Sequence, residues 1–167
     1  MVDGIVINVP IQQLNSFEIL KPNKMETRLV NGKNIMMTNR KSESDEHAVF
    51  FNQPLKGNVL VTGLGIGFVN EYLIKVPEIE KVVIVEKYQE VIDMVWPYCK
   101  RDDRFEIVHA DADTWTPTML FDYAWLDHWT DLHEMTQEEW WVFIEDKYSQ
   151  HSNWVGVWYK DIGENKC

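Results

Sequence analysis

The stretch Val59-Leu-Val-Thr-Gly63-Leu-Gly65-Ile-Gly67 sets three glycines at alternate positions directly behind an apolar run, and Phe68 to Lys75 then reads as a helix. A buried strand feeding a glycine turn at the head of a helix lets backbone approach a ligand closely, because glycine has no side chain in the way. Working outward, the next apolar run, Val82-Val-Ile-Val-Glu86, ends in an acid about where a nucleotide site needs one for ribose hydroxyls. Two further runs, Phe105-Glu-Ile-Val-His109 and Phe121-Asp-Tyr-Ala-Trp-Leu126, lead into the carboxylates Asp111 and Asp127. Chance can put ligand-grade chemistry at one strand end; at four it is a poor explanation.

From Asn58 onward, strands near 58–62, 81–86, 104–109, 121–126 and 154–159 alternate with helices near 68–75, 88–98 and 137–150. That rhythm predicts an α/β protein with a parallel sheet and helices on both faces. Thr136 and Glu139 make a capping box, and Trp140, Phe143, Ile144 and Tyr148 recur behind it at helical spacing, which predicts core packing. Before Asn58 the pattern differs. Gly4 to Val9 and Phe17 to Leu20 read as short strands, and the runs Glu26–Val30 and Lys33–Met37 flank Asn31-Gly32, the favoured pair for a type I′ hairpin turn. Thr38 to His47 is polar and reads as a loop, with Ala48 to Phe51 as the end of a short helix. The expected division is an N-terminal hairpin unit over 1–52 packed on a nucleotide-binding domain over 53–167, compact as a whole.

Sixteen basic residues against 27 acidic ones, a net charge of −11, disfavour nucleic acid as a partner, since phosphate contacts draw on Lys and Arg. No apolar stretch approaches the ~20 residues of a membrane span, and Met1 to Pro10 lacks a signal-peptide pattern, so no membrane association and a cytoplasmic location are expected. Cys99 and Cys167 match no metal spacing and sit in no context that suggests a reactive thiolate.

A nicotinamide fingerprint needs glycine at its first, third and sixth positions; counted from Gly63, the sixth is Phe68. A Walker loop fails too, because no Gly-Lys-Ser/Thr follows. A GxGxG turn with acids after the second and third strands remains. It resembles the S-adenosylmethionine site of the class I methyltransferase fold. The text around it is similar to the spermidine synthase branch of that fold: Asn58 to Gly67, Asn70-Glu71-Tyr-Leu, Val82 to Lys87, Asp103 to Ala112 and Phe121 to Asp127, with the Asn31-Gly32 hairpin and the acidic Glu43-Ser-Asp-Glu46 before it. The resemblance implies a Rossmann-like methyltransferase fold with parallel strand order 3-2-1-4-5 behind a small N-terminal antiparallel β unit.

It further implies that Glu86 holds ribose hydroxyls, that Asp111 accepts from the adenine amino group with the Ala112 amide facing the ring, and that Gly63, Gly65 and Gly67 let backbone pass under the ligand. Asp127 would lie beside the sulfonium, with helix capping as the plain alternative. The chain departs from that branch where polyamine-binding polar groups belong: Ile66, Val49, Phe50 and Phe51 stand there, which argues against a diamine acceptor. His128 follows the proposed catalytic strand and is a candidate general base. His128 and His133 bracket Asp131, but the spacing fits no established zinc pattern and no metal is expected. His109 reads as a packed strand residue, while His47 and His151 have no informative neighbours.

The expected activity is methyl transfer from S-adenosylmethionine to a small acceptor. Aminopropyl transfer, acceptor-independent cleavage and a non-catalytic binding module are the alternatives. The aromatic strand Trp154-Val-Gly-Val-Trp-Tyr159 close to the chain end suggests a sheet edge covered by a second copy, hence a homodimer or larger homo-oligomer.

Overall fold

The computed structural model describes residues 5–129 and 133–160. It begins with a four-stranded antiparallel sheet in sequential order, β1 (Gln12–Leu14), β2 (Phe17–Leu20), β3 (Arg28–Asn31) and β4 (Asn34–Thr38). Helix α1 (Lys41–Phe51) leads into β5 (Gly57–Thr62), α2 (Phe68–Leu73), β6 (Ile79–Glu86) and α3 (Gln89–Val95), the last followed by a short 3-10 turn. Then come β7 (Phe105–His109), β8 (Phe121–Leu126), α4 (Gln137–Ser149) and β9 (Ser152–Val157).

The second sheet is parallel throughout with order β7-β6-β5-β8-β9, which is the expected 3-2-1-4-5. Central β5 and β6 read as unbroken apolar runs because both of their faces are covered. Val59, Val61, Val82 and Ile84 join the core that holds Phe50 and Phe51 of α1, Phe68 and Leu73 of α2, and Val91 and Met94 of α3. Leu60, Val83, Val85, Ala124 and Leu126 join the core that holds Trp140, Ile144 and Tyr148 of α4. The capping box at Thr136 and Glu139 is present as expected, but Phe143 faces outward. The N-terminal sheet shares the first core through Phe17, Ile19, Leu29 and Met37. Gln12 Nε2 also donates to the Met94 carbonyl at 2.8 Å.

Four local expectations are corrected. Residues 5–9 form no strand, although Ile7 and Val9 are buried; Gln12–Leu14 pairs with β2 instead. Asn31 pairs with Asn34, so the hairpin turn is Gly32-Lys33, with positive φ at Gly32 alone. That pattern fits a type II′ turn, which wants glycine first, rather than type I′. The stretch expected as a polar loop is most of α1, since its fully buried residues are His47, Phe50 and Phe51 and a narrow i, i+3, i+4 stripe is easily missed. Finally, β9 ends at Val157, with Trp158 and Tyr159 in a turn.

Candidate functional site

A cavity of about 350 Å³ opens where the parallel strands end. Its lining includes Gly63, Gly65, Glu86, Asp111, Ala112, Asp127 and His128, so most residues singled out from sequence share one wall. Gly67 is the exception: it stands off the wall as the N-cap of α2, with φ of 77°. At Gly63, φ is 91° and a Cβ would collide with the Asp127 carbonyl. The glycine is therefore required twice, by its backbone angle and by the close passage of the chain after β8.

Glu86 is only 6% exposed. Its two carboxylate oxygens accept from the Leu64 amide at 2.8 Å and the Tyr88 amide at 2.9 Å. Burial pushes its carboxyl above the ordinary value, while amides of Tyr88, Leu64, Lys87 and Gly65 pull the other way. Asp111 pairs with Lys87 Nζ at 2.9 Å and accepts from the Asp113 amide at 3.0 Å. Partial burial would raise the Asp111 carboxyl, but Lys87 and that amide hold it below its usual value. Ala112 is buried, and its carbonyl accepts from the Tyr148 hydroxyl at 2.7 Å, which pins the turn after β7 to α4.

The other end is built around two carboxylates. Asp127 Oδ2 lies 2.9 Å from His47 Nε2, and the Asp127 amide donates to the Thr62 carbonyl at 3.1 Å. Helix α4 is capped by Thr136, so Asp127 is not its cap. Glu43, one turn before His47 on α1, also lines the cavity, and burial together with the Asp127 charge pushes its carboxyl up to about 8.

The second carboxylate, Asp113, accepts from His128 Nε2 at 2.9 Å, His133 Nε2 at 2.9 Å and Trp140 Nε1 at 3.1 Å. Burial would raise Asp113, but these donors hold it far below the ordinary range. His128 Nδ1 is also 2.6 Å from the Thr62 hydroxyl, so both of its ring nitrogens are engaged. Trp129 stacks on His133 with ring centres 4.7 Å apart. Asp131, which the two histidines bracket in sequence, lies outside the described residues, as do Gly4 and Cys167.

Sequence reasoning missed Glu43, His47 and Asp113. A histidine aligned at i, i+3 and i+4 with Phe50 and Phe51 was the available signal for His47, and it was masked by reading the segment as a loop. Asp113 stands two residues beyond an acid already singled out. His109, expected in the core, is exposed on outer strand β7 and donates from Nε2 to the Lys87 carbonyl at 3.0 Å. Val49, Phe50, Phe51 and Ile66 are not on the cavity wall; Phe50, Phe51 and Ile66 are core residues, and Val49 packs against that core. Burial pushes the Cys99 thiol up to about 12, which suits an inert cysteine.

With the geometry in place, solved structures supply the comparison. The chain superposes on DhpI in the complex named DhpI-SAM-HEP, at TM-score 0.52 and 18% identity, covering 70% of this chain and 53% of that one. It has a Rossmann-like methyltransferase fold. Spermidine synthase from Thermotoga maritima matches at TM-score 0.53 and 22% identity, over 73% of this chain and 48% of the other. The N-methyltransferase NodS from Bradyrhizobium japonicum WM9, in complex with S-adenosyl-L-homocysteine, matches at TM-score 0.52 and 14% identity, over 68% and 58%. The aligned region thus spans about half the length of these neighbours. No protein-family model and no curated relative matches the chain. No helix among the described residues is long and apolar enough to cross a membrane.

Proposed function

We propose that the cavity binds S-adenosylmethionine and that the protein transfers its methyl group to a small acceptor. The observation that carries this reading is the convergence of Gly63, Gly65, Glu86 and Asp111 on one cavity beyond the ends of the parallel strands, the crevice where open α/β sheets hold ligands. Fold neighbours solved with SAM and with S-adenosylhomocysteine support it. The cavity is also of a size that suits a small-molecule ligand.

In this reading the ribose hydroxyls donate to Glu86. A carboxylate offers about four acceptor sites, and the Leu64 and Tyr88 amides occupy one on each oxygen. Asp111 accepts from the adenine amino group beside buried Ala112, and the turn through Gly63 and Gly65 passes under the ligand. The methionine end then points to Asp127. Methyl transfer is an in-line displacement at a sulfonium that is already a good leaving group, so the protein supplies position and excludes water. Met36, Met135, Trp129 and Trp158 line the cavity and would serve exclusion. Asp127 faces the acceptor. His128, with both ring nitrogens engaged, braces the wall between Thr62 and Asp113.

Calorimetry with S-adenosylmethionine, S-adenosylhomocysteine and NAD tests the reading. The two methionine nucleotides are expected to bind; binding of NAD in their place would refute it. A second reading, aminopropyl transfer, draws on one observation. Glu43, Asp127 and Glu134 line the cavity, a diamine needs carboxylates, and the apolar residues that argued against a diamine are not on the wall. Spermidine formed from decarboxylated S-adenosylmethionine and putrescine would favour it over methyl transfer.

A further inference from the structure

His47 has no solvent-exposed surface. Around it lie the rings of Phe51, Phe68 and Trp125, with centroids 5.7, 5.1 and 5.6 Å away. An uncompensated polar ring in such a place is costly, yet both of its nitrogens are satisfied. Nδ1 lies 2.8 Å from the backbone carbonyl of Glu43. A carbonyl can only accept, so Nδ1 carries a hydrogen, and Nε2 is left facing Asp127 Oδ2 at 2.9 Å. The ionisable groups facing the ring are Glu43 from α1 and Asp127 from the end of β8; the other ring contacts are aromatic. Burial by itself would lower the imidazole's affinity for a second proton, but Asp127, its charge and the Glu43 carbonyl overcome this and raise it above the ordinary value. Asp127 Oδ1 accepts no hydrogen bond among the described residues, and Asp127 lines the cavity.

We propose that His47 is the positioning residue for Asp127: by donating to Oδ2 from a fully packed site it fixes the carboxylate and leaves Oδ1 to meet the group opposite the transferred methyl. The inference rests on the S-adenosylmethionine reading above and narrows the acceptor to a nucleophile that carries a proton. The nucleophile's electron pair forms the bond to the methyl carbon, and the carbon–sulfur bond breaks with its pair onto sulfur. The nucleophile's proton passes to Asp127 Oδ1. The single positive charge leaves sulfur and ends on the Asp127–His47 pair, so charge balances. In chain order the pair joins α1 to the end of β8, two elements 80 residues apart.

Sinefungin, in which a carbon bearing an amine replaces the methylated sulfur, places a donor where the methyl stands and probes Oδ1 without any acceptor. The readout is the ratio of sinefungin to S-adenosylhomocysteine affinity in each variant, so losses common to both ligands cancel. Asp127→Asn and His47→Phe are each expected to lower that ratio about tenfold, the size of one charge-assisted hydrogen bond. His47→Gln, which retains a donor, is expected to keep most of it. A ratio that falls in Asp127→Asn but not in His47→Phe overturns the positioning role. A ratio moved by neither variant, with both ligands bound, removes Asp127 from the methyl position and leaves only the nucleotide site standing. Failure of wild type to bind either ligand overturns the nucleotide reading as well. Should His47→Phe not fold, NMR titration of the His47 ring decides. Its midpoint is expected to drop in Asp127→Asn relative to wild type, and an unchanged midpoint overturns the coupling.

Discussion

Glu86 is held beside the glycine turn by backbone amides of neighbouring strand ends, whereas Asp127 and Asp113 are held by side chains brought from α1, the segment after β8 and α4. In the first case the Leu64 and Tyr88 amides fix Glu86, both within a short stretch of two adjacent strands. In the second, Asp127 depends on His47 and the His128 wall depends on Asp113, through contacts that cross the fold. The difference separates a wall that local chain geometry supplies from one that exists only after packing.

The strongest way to break this contrast is Glu86→Ala. It leaves the Leu64 and Tyr88 amides without their acceptor in a buried place, at about 1–3 kcal/mol for each orphaned donor. It is expected to lower the denaturant midpoint and to weaken S-adenosylhomocysteine binding about tenfold or more by calorimetry. Unchanged affinity would show that Glu86 serves the loop alone.

Next in size is Asp113→Ala, which removes the shared acceptor of His128, His133 and Trp140 and is expected to cost about 1–3 kcal/mol, the penalty of leaving donors unmet in a largely buried place. The same residue carries a pH signature. Its carboxyl is depressed in the folded protein, so it contributes stability above its ordinary value near pH 4, and that contribution disappears as pH falls below it. Acid denaturation followed by circular dichroism is expected to be steeper in wild type than in Asp113→Asn; equal slopes would count against the hub.

Asp127→Asn sharpens the comparison from the reacting side. Once an acceptor is found, turnover is expected to fall about a hundredfold while S-adenosylhomocysteine still binds. Persistence of turnover would reduce Asp127 to a structural acid. The smallest effect is expected of Glu43→Gln. Because the folded carboxyl is raised to about 8, wild type loses stability as pH climbs from the ordinary carboxylate range to that value. The variant, with nothing to ionise, is expected to match wild type near pH 4 and to melt a few degrees higher near pH 9. Identical melting curves at both pH values would refute a buried, protonated Glu43.

The parts legible in sequence were those in which one short segment does the whole job. An apolar run reports a strand covered on both faces, a glycine triplet reports a turn with no room for side chains, and an acid at the strand end reports where a ligand can be held. Alternation of strand and helix reported a parallel sheet, and the resemblance to the methyltransferase fold supplied its strand order. The hairpin at residues 31–34 was legible as a hairpin but not in register, because a single positive-φ glycine moved the turn by one residue. α1 was misread because the nine polar and charged residues from Thr38 to Glu46 outweigh a buried stripe of His47, Phe50 and Phe51 in any linear reading.

By itself, then, the sequence determined the parallel sheet and the acids at its strand ends, since each shows in a single run along the chain. Only the tertiary structure decided which partners Asp127, Asp113, His47 and Glu43 meet. Their partners lie far away in sequence, as His47 and Asp127 do, and a side chain's charge state depends on burial and on the groups folding sets against it. The cavity wall was settled the same way: Phe50 and Phe51 aligned with a ligand site by position, and packing turned them into core.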